Sequence, residues 1–293
     1  MSDTIENLRN KIERATDLES VVSTMKALAA SNIGQYERAV RALADYYYTV
    51  ELGLWACMNQ IKEEYVGENK VQHEDTTGVI VFGSDQGLVG QFNDVLAEFV
   101  SETLQHFHGK KIIWAVGERM HARLMDMGFT VTNLYEVPNS VSAITPLVGQ
   151  ILVQSKTHLL YIFHNRPTSD AHYEPVRQRL LPLDKKWRRE LMKNHWPTHR
   201  LPEILGNRKD TLKALIREYL FVSLFKACAE SLASENGSRL AAMQRAEKNI
   251  NELLDELKQT YHRLRQSSID NELFDVISGF EALRKNTTPF SSN

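Results

Sequence analysis

The residues of this sequence that could carry out chemistry do not form a recognisable catalytic motif. The ten histidines are scattered, and His106 and His108 are followed by Gly-Lys-Lys rather than by a carboxylate, so the helical zinc motif is missing. No Gly-x-Ser-x-Gly segment occurs that would place a nucleophilic serine on a strand-to-helix turn. Cys57 and Cys228 have no activating neighbour, and two cysteines make neither a disulfide framework nor a metal site. The sequence therefore predicts no catalytic residue, no metal and no cofactor.

A glycine-containing loop follows the first predicted strand, at the place where an α/β fold can bind phosphate groups. Residues 83–90 read Gly-Ser-Asp-Gln-Gly-Leu-Val-Gly. The glycines are separated by three and then by two residues, which fits neither the dinucleotide fingerprint nor the phosphate loop that ends in Gly-Lys-Ser/Thr. The spacing favours the simpler interpretation, that these glycines turn the chain tightly into the next helix.

A local cluster of positive charge lies between Arg177 and Arg200. It holds eight lysines and arginines against Asp184 and Glu190, interleaved with the aromatic or imidazole side chains Trp187, His195, Trp196 and His199. Basic residues combined with aromatic ones can bind single-stranded nucleic acid by phosphate contact and stacking. Because the net charge of the whole chain is only −2, we favour a solvated face or a protein contact over nucleic-acid binding.

The elements that must position these residues begin with a long helical segment. From Ile5 to Ile61, apolar residues recur in steps of three and four with two polar exceptions, and no proline interrupts them. This spacing is a coiled-coil repeat. Asp3 followed by Glu6 supplies a capping-box start. A helix is therefore predicted over residues 1–65.

A second helical segment lies near the other end of the chain. It runs without proline from about Asp210 to Leu283, and its middle carries the same three-and-four spacing. Its upstream part, residues 212–225, is apolar on several faces and so requires cover on several sides. Helices of globular domains usually end within about 20 residues. We therefore predict that the terminal segments pair as a long antiparallel coiled coil rather than forming two separate core helices.

Between these segments, short apolar and β-branched runs alternate with helical patterns. Alternation of this kind predicts a small, largely parallel, Rossmann-like sheet covered by helices. The predicted strands are residues 77–83, 111–116, 129–135 and 158–163, and a proline-bearing edge strand over 173–182. The predicted division is an N-terminal helix over 1–65, a central α/β domain over 76–200, a C-terminal helix over 208–285 and a polar tail over 286–293.

The composition is that of an ordinary water-soluble chain. Of the 293 residues, 42% are hydrophobic and 25% are charged. No run of 18 uncharged apolar residues is present, and the N-terminus lacks the basic-then-apolar pattern of a secretion signal. We expect neither a membrane span nor secretion, and a reducing, cytosolic setting.

Six separated segments carry a family resemblance. They are residues 22–31 (VSTMKALAAS), 84–93 (SDQGLVGQFN), 229–235 (AESLASE), 238–243 (SRLAAM), 264–273 (LRQSSIDNEL) and 278–283 (SGFEAL). In order and spacing, these segments resemble the gamma subunit of the rotary F-type ATP synthases over essentially the whole chain. Gln86, Val89 and Gln91 replace an arginine, a cysteine and a glycine that are usual in that family, which marks a divergent or alternate member.

The resemblance implies contacts with a beta subunit at two places. Met25 matches the family's methionine at the bearing where the shaft meets beta. Arg265 and Gln266 match the polar pair that hydrogen-bonds a loop of beta, and Asp270 stands where the family often has threonine.

Two further contact regions follow from the same resemblance. Trp196 and Glu203 lie in the segment that corresponds to the foot on the membrane rotor ring. The apolar tip that turns in the sleeve of the ring of subunits would consist of Leu273, Val276, Ile277 and Leu283.

The function implied by the resemblance is that of a non-catalytic central rotor. Its expected partners are the alpha and beta subunits, an epsilon-type subunit and the membrane c-ring, without nucleic acid, and its expected location is peripheral, at the cytoplasmic face of the cell membrane. Two other interpretations remain. One is a Rossmann-like small-molecule enzyme with helical dimerisation arms, and the other is a nucleic-acid-binding scaffold that uses residues 177–200.

Overall fold

The computed structural model describes most of the chain, and the described part contains eleven helices and strands. The described residues are 4–60, 76–155, 157–168, 172–183, 185–193, 196–198, 200, 202–204 and 206–286. In chain order the elements are α1 (Ile5–Gln60), β1 (Thr77–Phe82), α2 (Phe92–Gln105), β2 (Lys111–Val116), α3 (Glu118–Asp126), β3 (Val131–Tyr135), α4 (Val141–Gln154), β4 (Leu159–Pro167), β5 (Tyr173–Leu181), α5 (Lys185–Leu191) and α6 (Arg208–Asn286).

The chain forms two compact units. Residues 1–26 and 243–293 make one, which we call the end unit, and residues 27–242 make the other, which we call the sheet unit. The predicted fold class, long terminal helices with a central sheet, is confirmed. Within the described ranges, no helix combines the length and the apolar character needed to cross a bilayer.

Helix α1 follows the predicted apolar repeat. Every described residue of that repeat, from Ile5 to Cys57, is buried or half-buried. The predicted cap Asp3 and the last repeat position Ile61 lie outside the described residues. In the described part, the hydroxyl of Thr4 accepts a hydrogen bond from the backbone amide three residues later, at 3.3 Å, and so caps the first turn.

Helices α1 and α6 contact each other within each unit, and in the sheet unit they run in antiparallel directions. In the sheet unit, Asn32 Nδ2 donates to Asn236 Oδ1 at 3.3 Å, and Tyr46 OH donates to Glu218 Oε1 at 2.6 Å. Residue numbers on α6 therefore decrease as the numbers of their partners on α1 increase. In the end unit, the Lys26 ammonium lies 2.6 Å from both carboxylate oxygens of Glu247. This ion pair explains why one polar exception in the apolar repeat is tolerated.

The sheet has five strands in the order β3-β2-β1-β4-β5. The strands β1 to β4 are parallel, and β5 pairs antiparallel with β4 at the edge, as its prolines predict. Strand β3 begins two residues later than predicted because Gly128, at φ +85°, and Phe129 close the turn after α3. Strand β4 continues to Pro167, beyond the predicted residue 163, because its polar end pairs with β5.

Helices cover both faces of the sheet. Along β1, Val79 and Val81 pack with residues of α2 and α3, whereas Ile80 and Phe82 pack with residues of α1, α4 and α6. All four side chains are at most 1% exposed. Full burial of such side chains contributes roughly 1.5–3 kcal/mol each. The strand that leads into loop 83–90 is therefore held in place from both sides.

The close packing around the end of β1 can be tested by a substitution at Gly83. A Cβ at this position would overlap the Cβ of Met120 and lie 2.9 Å from Asn93 Oδ1. We expect Gly83→Ala to lower the free energy of unfolding by about 1–3 kcal/mol. All four tryptophans lie in the sheet unit, so tryptophan fluorescence during urea unfolding measures the change.

Gly149→Ala is the matched control. Gly149 lies inside α4, where an added Cβ meets nothing within 4 Å, so this substitution is expected to raise the free energy of unfolding by up to about 1 kcal/mol. Equal effects of the two substitutions would contradict the close approach of Met120 to Gly83.

Candidate functional site

The last part of α6 carries an unusual apolar surface. Positions 269, 273, 276 and 280 repeat in steps of four, three and four, which places them along one side of the helix. The exposed large apolar side chains here, which we call the α6 stripe, are Ile269, Leu273, Phe274, Val276, Ile277 and Phe280, between 46% and 71% exposed. A contiguous patch of this kind on a folded chain marks a protein contact surface.

Three of the four predicted tip residues belong to the α6 stripe. Leu273, Val276 and Ile277 are exposed, whereas the side chain of Leu283 lies outside the described residues. The sequence-based set missed Phe274 and Phe280, whose aromatic side chains are 67% and 71% exposed. Phe280 falls in the matching segment 278–283, so the resemblance alone contained a signal for it.

The predicted polar contact residues lie just before and at the start of the α6 stripe on the same helix. Arg265, Gln266 and Asp270 are all exposed. Gln266 and Asp270 are four residues apart and so share a face of the helix. These three side chains and the start of the stripe are adjacent along α6, which gives this end of the helix both charged and apolar groups to offer a partner.

Met25 is placed elsewhere in the end unit. It is half-buried on α1, next to Lys26, which pairs with Glu247 of α6. Arg265 lies 18 residues beyond Glu247, which corresponds to about 27 Å along the helix axis. The structure therefore separates the predicted bearing residue from the predicted polar pair along the end unit.

The residues predicted for a foot lie in the sheet unit and differ in exposure. The ring of Trp196 stacks on that of Trp55 with centroids 6.3 Å apart, and its Nε1 donates to Thr198 Oγ1 at 2.9 Å. Glu203 is exposed. Trp196 thus packs against the end of α1, and only Glu203 presents its side chain freely to the outside.

Side chains of the basic cluster between Arg177 and Arg200 contact aromatic residues elsewhere in the same chain. Trp187 Nε1 donates to Tyr219 OH at 3.1 Å, and Arg177 lies 5.9 Å from the ring centroids of both Phe107 and Tyr161. His195, His199 and Asp184 lie outside the described residues. The tryptophan rings of this cluster are occupied by intramolecular packing.

Loop 83–90 forms a tight turn, as its glycine spacing suggests. Gly90 has φ +57°, and Leu88 has φ +62°. Ser84 N donates to Asn93 Oδ1 at 3.1 Å, and Asn93 Nδ2 donates back to Ser84 Oγ at 2.8 Å. The loop is therefore tied to the first turn of α2 by its own hydrogen bonds.

Three buried serines of α6 hold the carboxyl edge of the sheet. Ser231 Oγ donates to Phe82 O at 3.1 Å, Ser234 Oγ donates to Asn165 O at 3.0 Å, and Ser238 Oγ donates to Val89 O. These bonds join α6 to the ends of β1 and β4 and to loop 83–90. Periodicity could not predict them, although the serines fall in the matching segments 229–235 and 238–243.

A buried hydrogen bond adds a polar link between β4 and α6. His164 Nε2 lies 2.8 Å from Glu230 Oε2, and Arg166 and Lys226 lie 3.6 and 3.9 Å from the same carboxylate. Burial lowers the pKa of His164, and the hydrogen bond to Glu230 offsets part of this effect. Burial by itself raises the pKa of Glu230, but the hydrogen bond from His164 and the nearby cations outweigh it, so that this pKa lies below its ordinary value.

Comparison with known proteins gives a consistent result over the length of the chain. A family model described as ATP synthase matches residues 4–283. The chain is similar to the ATP synthase gamma chain of Legionella pneumophila strain Corby, at 23% identity over 94% of this chain and 98% of the relative. It is also similar to the ATP synthase gamma chain of Dechloromonas aromatica, at 27% identity over 94% and 98%.

Solved structures share the fold. A chain of the Euglena gracilis mitochondrial ATP synthase, in its OSCP/F1/c-ring assembly, matches with a TM-score of 0.66 and 16% identity over 99% of this chain and 98% of that chain. A chain of the Tetrahymena thermophila mitochondrial ATP synthase central stalk and c-ring matches with a TM-score of 0.57 and 20% identity over 77% and 99%.

The buried histidine predicts a pH dependence of stability. Unfolded His164 titrates near pH 6.5, whereas in the fold its pKa is lower. Below about pH 6.5 the unfolded chain therefore binds a proton that the folded chain does not. The free energy of unfolding should fall as the pH is lowered from 7 to 5, by at most about 1.4 kcal/mol per pH unit from this group.

Two variants isolate the contribution of His164. His164→Gln retains an N–H donor for Glu230 and should flatten the pH dependence near pH 6 in urea unfolding measured by tryptophan fluorescence. His158→Gln, at an exposed position just before β4, should leave the dependence as it is. An unchanged slope in His164→Gln would show that His164 titrates normally in the fold.

Proposed function

Since the chain belongs to the ATP synthase gamma-chain family, we propose that it is the central rotor subunit of an ion-translocating F-type ATP synthase. It transmits torque between the membrane ring and the catalytic alpha and beta subunits. The observation that carries this proposal is the α6 stripe, which follows the exposed polar residues Arg265 and Gln266 on a helix of 79 residues. Such a surface requires an apolar sleeve from partner chains.

Contacts within the sheet unit hold α6 in place. Ser231, Ser234 and Ser238 bind main-chain carbonyls of the sheet and its loop, and the pair of His164 with Glu230 is buried beside them. Turning α6 relative to the sheet would break all of these contacts together. A force applied to the sheet unit therefore acts on α6 as a whole, because α6 is a single helix from Arg208 to Asn286.

The rotor acts on its partners by differential contact. Met25, Arg265, Gln266 and Asp270 touch a beta subunit in some rotational positions and not in others. Each contact favours the conformation of the nucleotide site in which it is made. The nucleotide chemistry belongs to the partner subunits, and this chain is non-catalytic.

Other surfaces fix the position of the rotor at the membrane. Residues 76–200 bind the epsilon-type subunit and, through Trp196 and Glu203, seat the chain on the c-ring at the cytoplasmic face of the cell membrane. The terminal segments 1–65 and 208–285 form the shaft. The family-model match over residues 4–283 and the similarity to gamma-chain relatives favour this function over a small-molecule enzyme or a nucleic-acid scaffold.

Rotation can be observed directly in a reconstituted assembly. Cys57 and Cys228 are buried, and burial raises the pKa of both thiols, so Gln105→Cys, on the exposed side of α2, gives one reactive thiol for a bead. With the alpha and beta subunits fixed to a surface, ATP should drive continuous rotation in one direction. A bead that stays still while the assembly hydrolyses ATP would refute the proposal.

The polar pair on α6 gives a second prediction. Arg265→Ala and Gln266→Ala should each lower ATP hydrolysis by the reconstituted assembly about fivefold or more, because a contact that couples the helix to the beta subunit is lost. Both residues are exposed, so the free energy of unfolding of the chain should change by less than about 0.5 kcal/mol.

Lys248→Ala is the control for this pair. Lys248 is an exposed cation on the same helix, 3.8 Å from Glu252, and an exposed pair of this kind contributes little. The control should hydrolyse ATP at the unmodified rate. Full activity in both the Arg265 and the Gln266 variants would exclude these residues from the contact with beta.

A further inference from the structure

Strand β3 forms one open edge of the sheet. In the order β3-β2-β1-β4-β5 it pairs with β2 on one side, and no described strand lies on its other side. The carbonyl oxygen of Tyr135 accepts a hydrogen bond from the amide of Gly117 at 2.9 Å, so the main chain of Tyr135 faces β2. Main-chain groups of successive strand residues point in alternate directions. The N–H and C=O of Leu134 therefore point away from the sheet, where an added strand would pair with them.

The two edge strands of the sheet differ in how they are protected. Strand β5, at the opposite edge, carries a proline, Pro175, and the charged residues Glu174, Arg177 and Arg179. Proline and charged side chains are devices by which proteins prevent unwanted pairing at an edge. Strand β3 has the sequence Val-Thr-Asn-Leu-Tyr and contains neither. Its edge is left open to pairing, as we expect of a strand that a partner covers.

Exposed apolar side chains are concentrated around this edge. Between residues 76 and 200, the described residues include four exposed large apolar side chains. Three of them lie on β3 or on the helices directly before and after it: Met125 of α3, Leu134 of β3 and Val153 of α4, at 50%, 43% and 64% exposure. Grouped exposed apolar side chains mark a protein contact surface.

The contacts of β3 place these side chains on both faces of the edge. Leu134 is in register with Ala115, which is buried among residues of α2 and α3, so Leu134 lies on that face. The hydroxyl of Tyr135 donates to Gln154 Oε1 at the end of α4, which holds α4 against the other face. Val153 directly precedes Gln154. A strand that pairs with Leu134 would thus find apolar side chains near both of its faces.

We propose that β3 accepts a sixth strand from a partner chain, in the form of an extended, uncharged segment. The main-chain groups of Leu134 require an extended backbone, and the apolar side chains around the edge disfavour a charged one. Addition of a strand to an open sheet edge combines main-chain hydrogen bonds with contacts of alternate side chains. The inference rests on the proposed function for its source, the epsilon-type subunit, because residues 76–200 are proposed to bind that subunit.

The length of β3 determines how strong this contact is. The strand has five residues, and its register with β2 is irregular near its start, which leaves Asn133–Tyr135 regular. Specific interfaces contain about 20–30 residues on each side. Strand pairing is therefore one part of a larger contact, in which the partner also covers Met125 and Val153. Its loss should weaken the complex without abolishing it.

The test is the affinity of the full chain for the purified epsilon-type subunit, measured by calorimetry. Leu134→Pro removes the outward N–H, whereas the hydrogen bonds to β2 belong to neighbouring residues. We expect the dissociation constant to rise about tenfold to a hundredfold, because a carbonyl group of the partner would be buried without its donor.

A second variant keeps the test decisive if Leu134→Pro does not fold. Leu134→Lys retains the N–H and adds a charge of the kind that protects β5, and it should weaken binding about tenfold or more. Leu88→Lys is the matched control, because Leu88 is also exposed, at 61%, but lies in loop 83–90. The control should bind with unchanged affinity.

Hydrogen–deuterium exchange of residues 131–135 reports the pairing itself. The Leu134 amide should exchange quickly in the isolated chain and slowly in the complex. Slow exchange in the isolated, monomeric chain would show that this chain covers the edge and would overturn the proposal. Dimerisation of the isolated chain that Leu134→Lys abolishes would overturn it too, because the occupant would then be a second copy.

The outcomes for this contact and for the rotor function can be told apart. Unchanged affinity in both Leu134 variants overturns strand addition and leaves the rotor function standing. Absence of binding by the unmodified chain also overturns strand addition. Rotation of the bead in the reconstituted assembly then decides separately whether the rotor function holds.

Discussion

The structure depends on one stretch of α6 that is buried on every side. From Ala227 to Ser238, twelve consecutive helical residues are buried, which means that no face of these three turns is left to solvent. Most of them are alanine, serine, cysteine or glycine, and small side chains allow neighbouring elements to approach the helix closely. A helix enclosed in this way cannot turn or slide without breaking a close-packed interior.

The polar groups of this stretch explain how a fully enclosed helix can carry serines and carboxylates. Each of Ser231, Ser234 and Ser238 donates to a main-chain carbonyl at the carboxyl edge of the sheet or in loop 83–90. Glu230 is hydrogen-bonded to His164 and lies near the cations Arg166 and Lys226. A buried hydrogen bond contributes about 1 kcal/mol, but leaving one partner unpaired costs more. The same helix has the opposite character over the α6 stripe, where its large apolar side chains are exposed. The stretch from Ala227 to Ser238 is enclosed by this chain itself, whereas the α6 stripe is left exposed for contact with partner chains.

Periodic features of the fold were predictable from the sequence. The repeat from Ile5 to Cys57 identified the buried side of α1, and the prolines of β5 identified an edge strand. Contacts between residues far apart in the sequence were not predictable. Neither the link between His164 and Glu230 nor that between Ser238 and Val89 leaves a recognisable pattern in the sequence around either residue. The polar end of β4 was missed since strand patterns are recognised by apolar residues. The exposure of Phe274 and Phe280 could not be predicted either, because helical spacing does not distinguish apolar side chains that pack within the chain from those that do not. The functional roles of Met25, Arg265, Gln266 and Asp270 remain predictions drawn from the family.

The central claim is that the stretch from Ala227 to Ser238 is fixed to the sheet, and hydrogen–deuterium exchange of the full chain, read by mass spectrometry, measures this directly. The account predicts that amides of this stretch exchange as slowly as those of β1, because both are exposed only when the sheet unit unfolds. Amides of the α6 stripe should exchange much faster. Exchange of the stretch from Ala227 to Ser238 at the rate of the stripe, while β1 remains protected, would contradict the account.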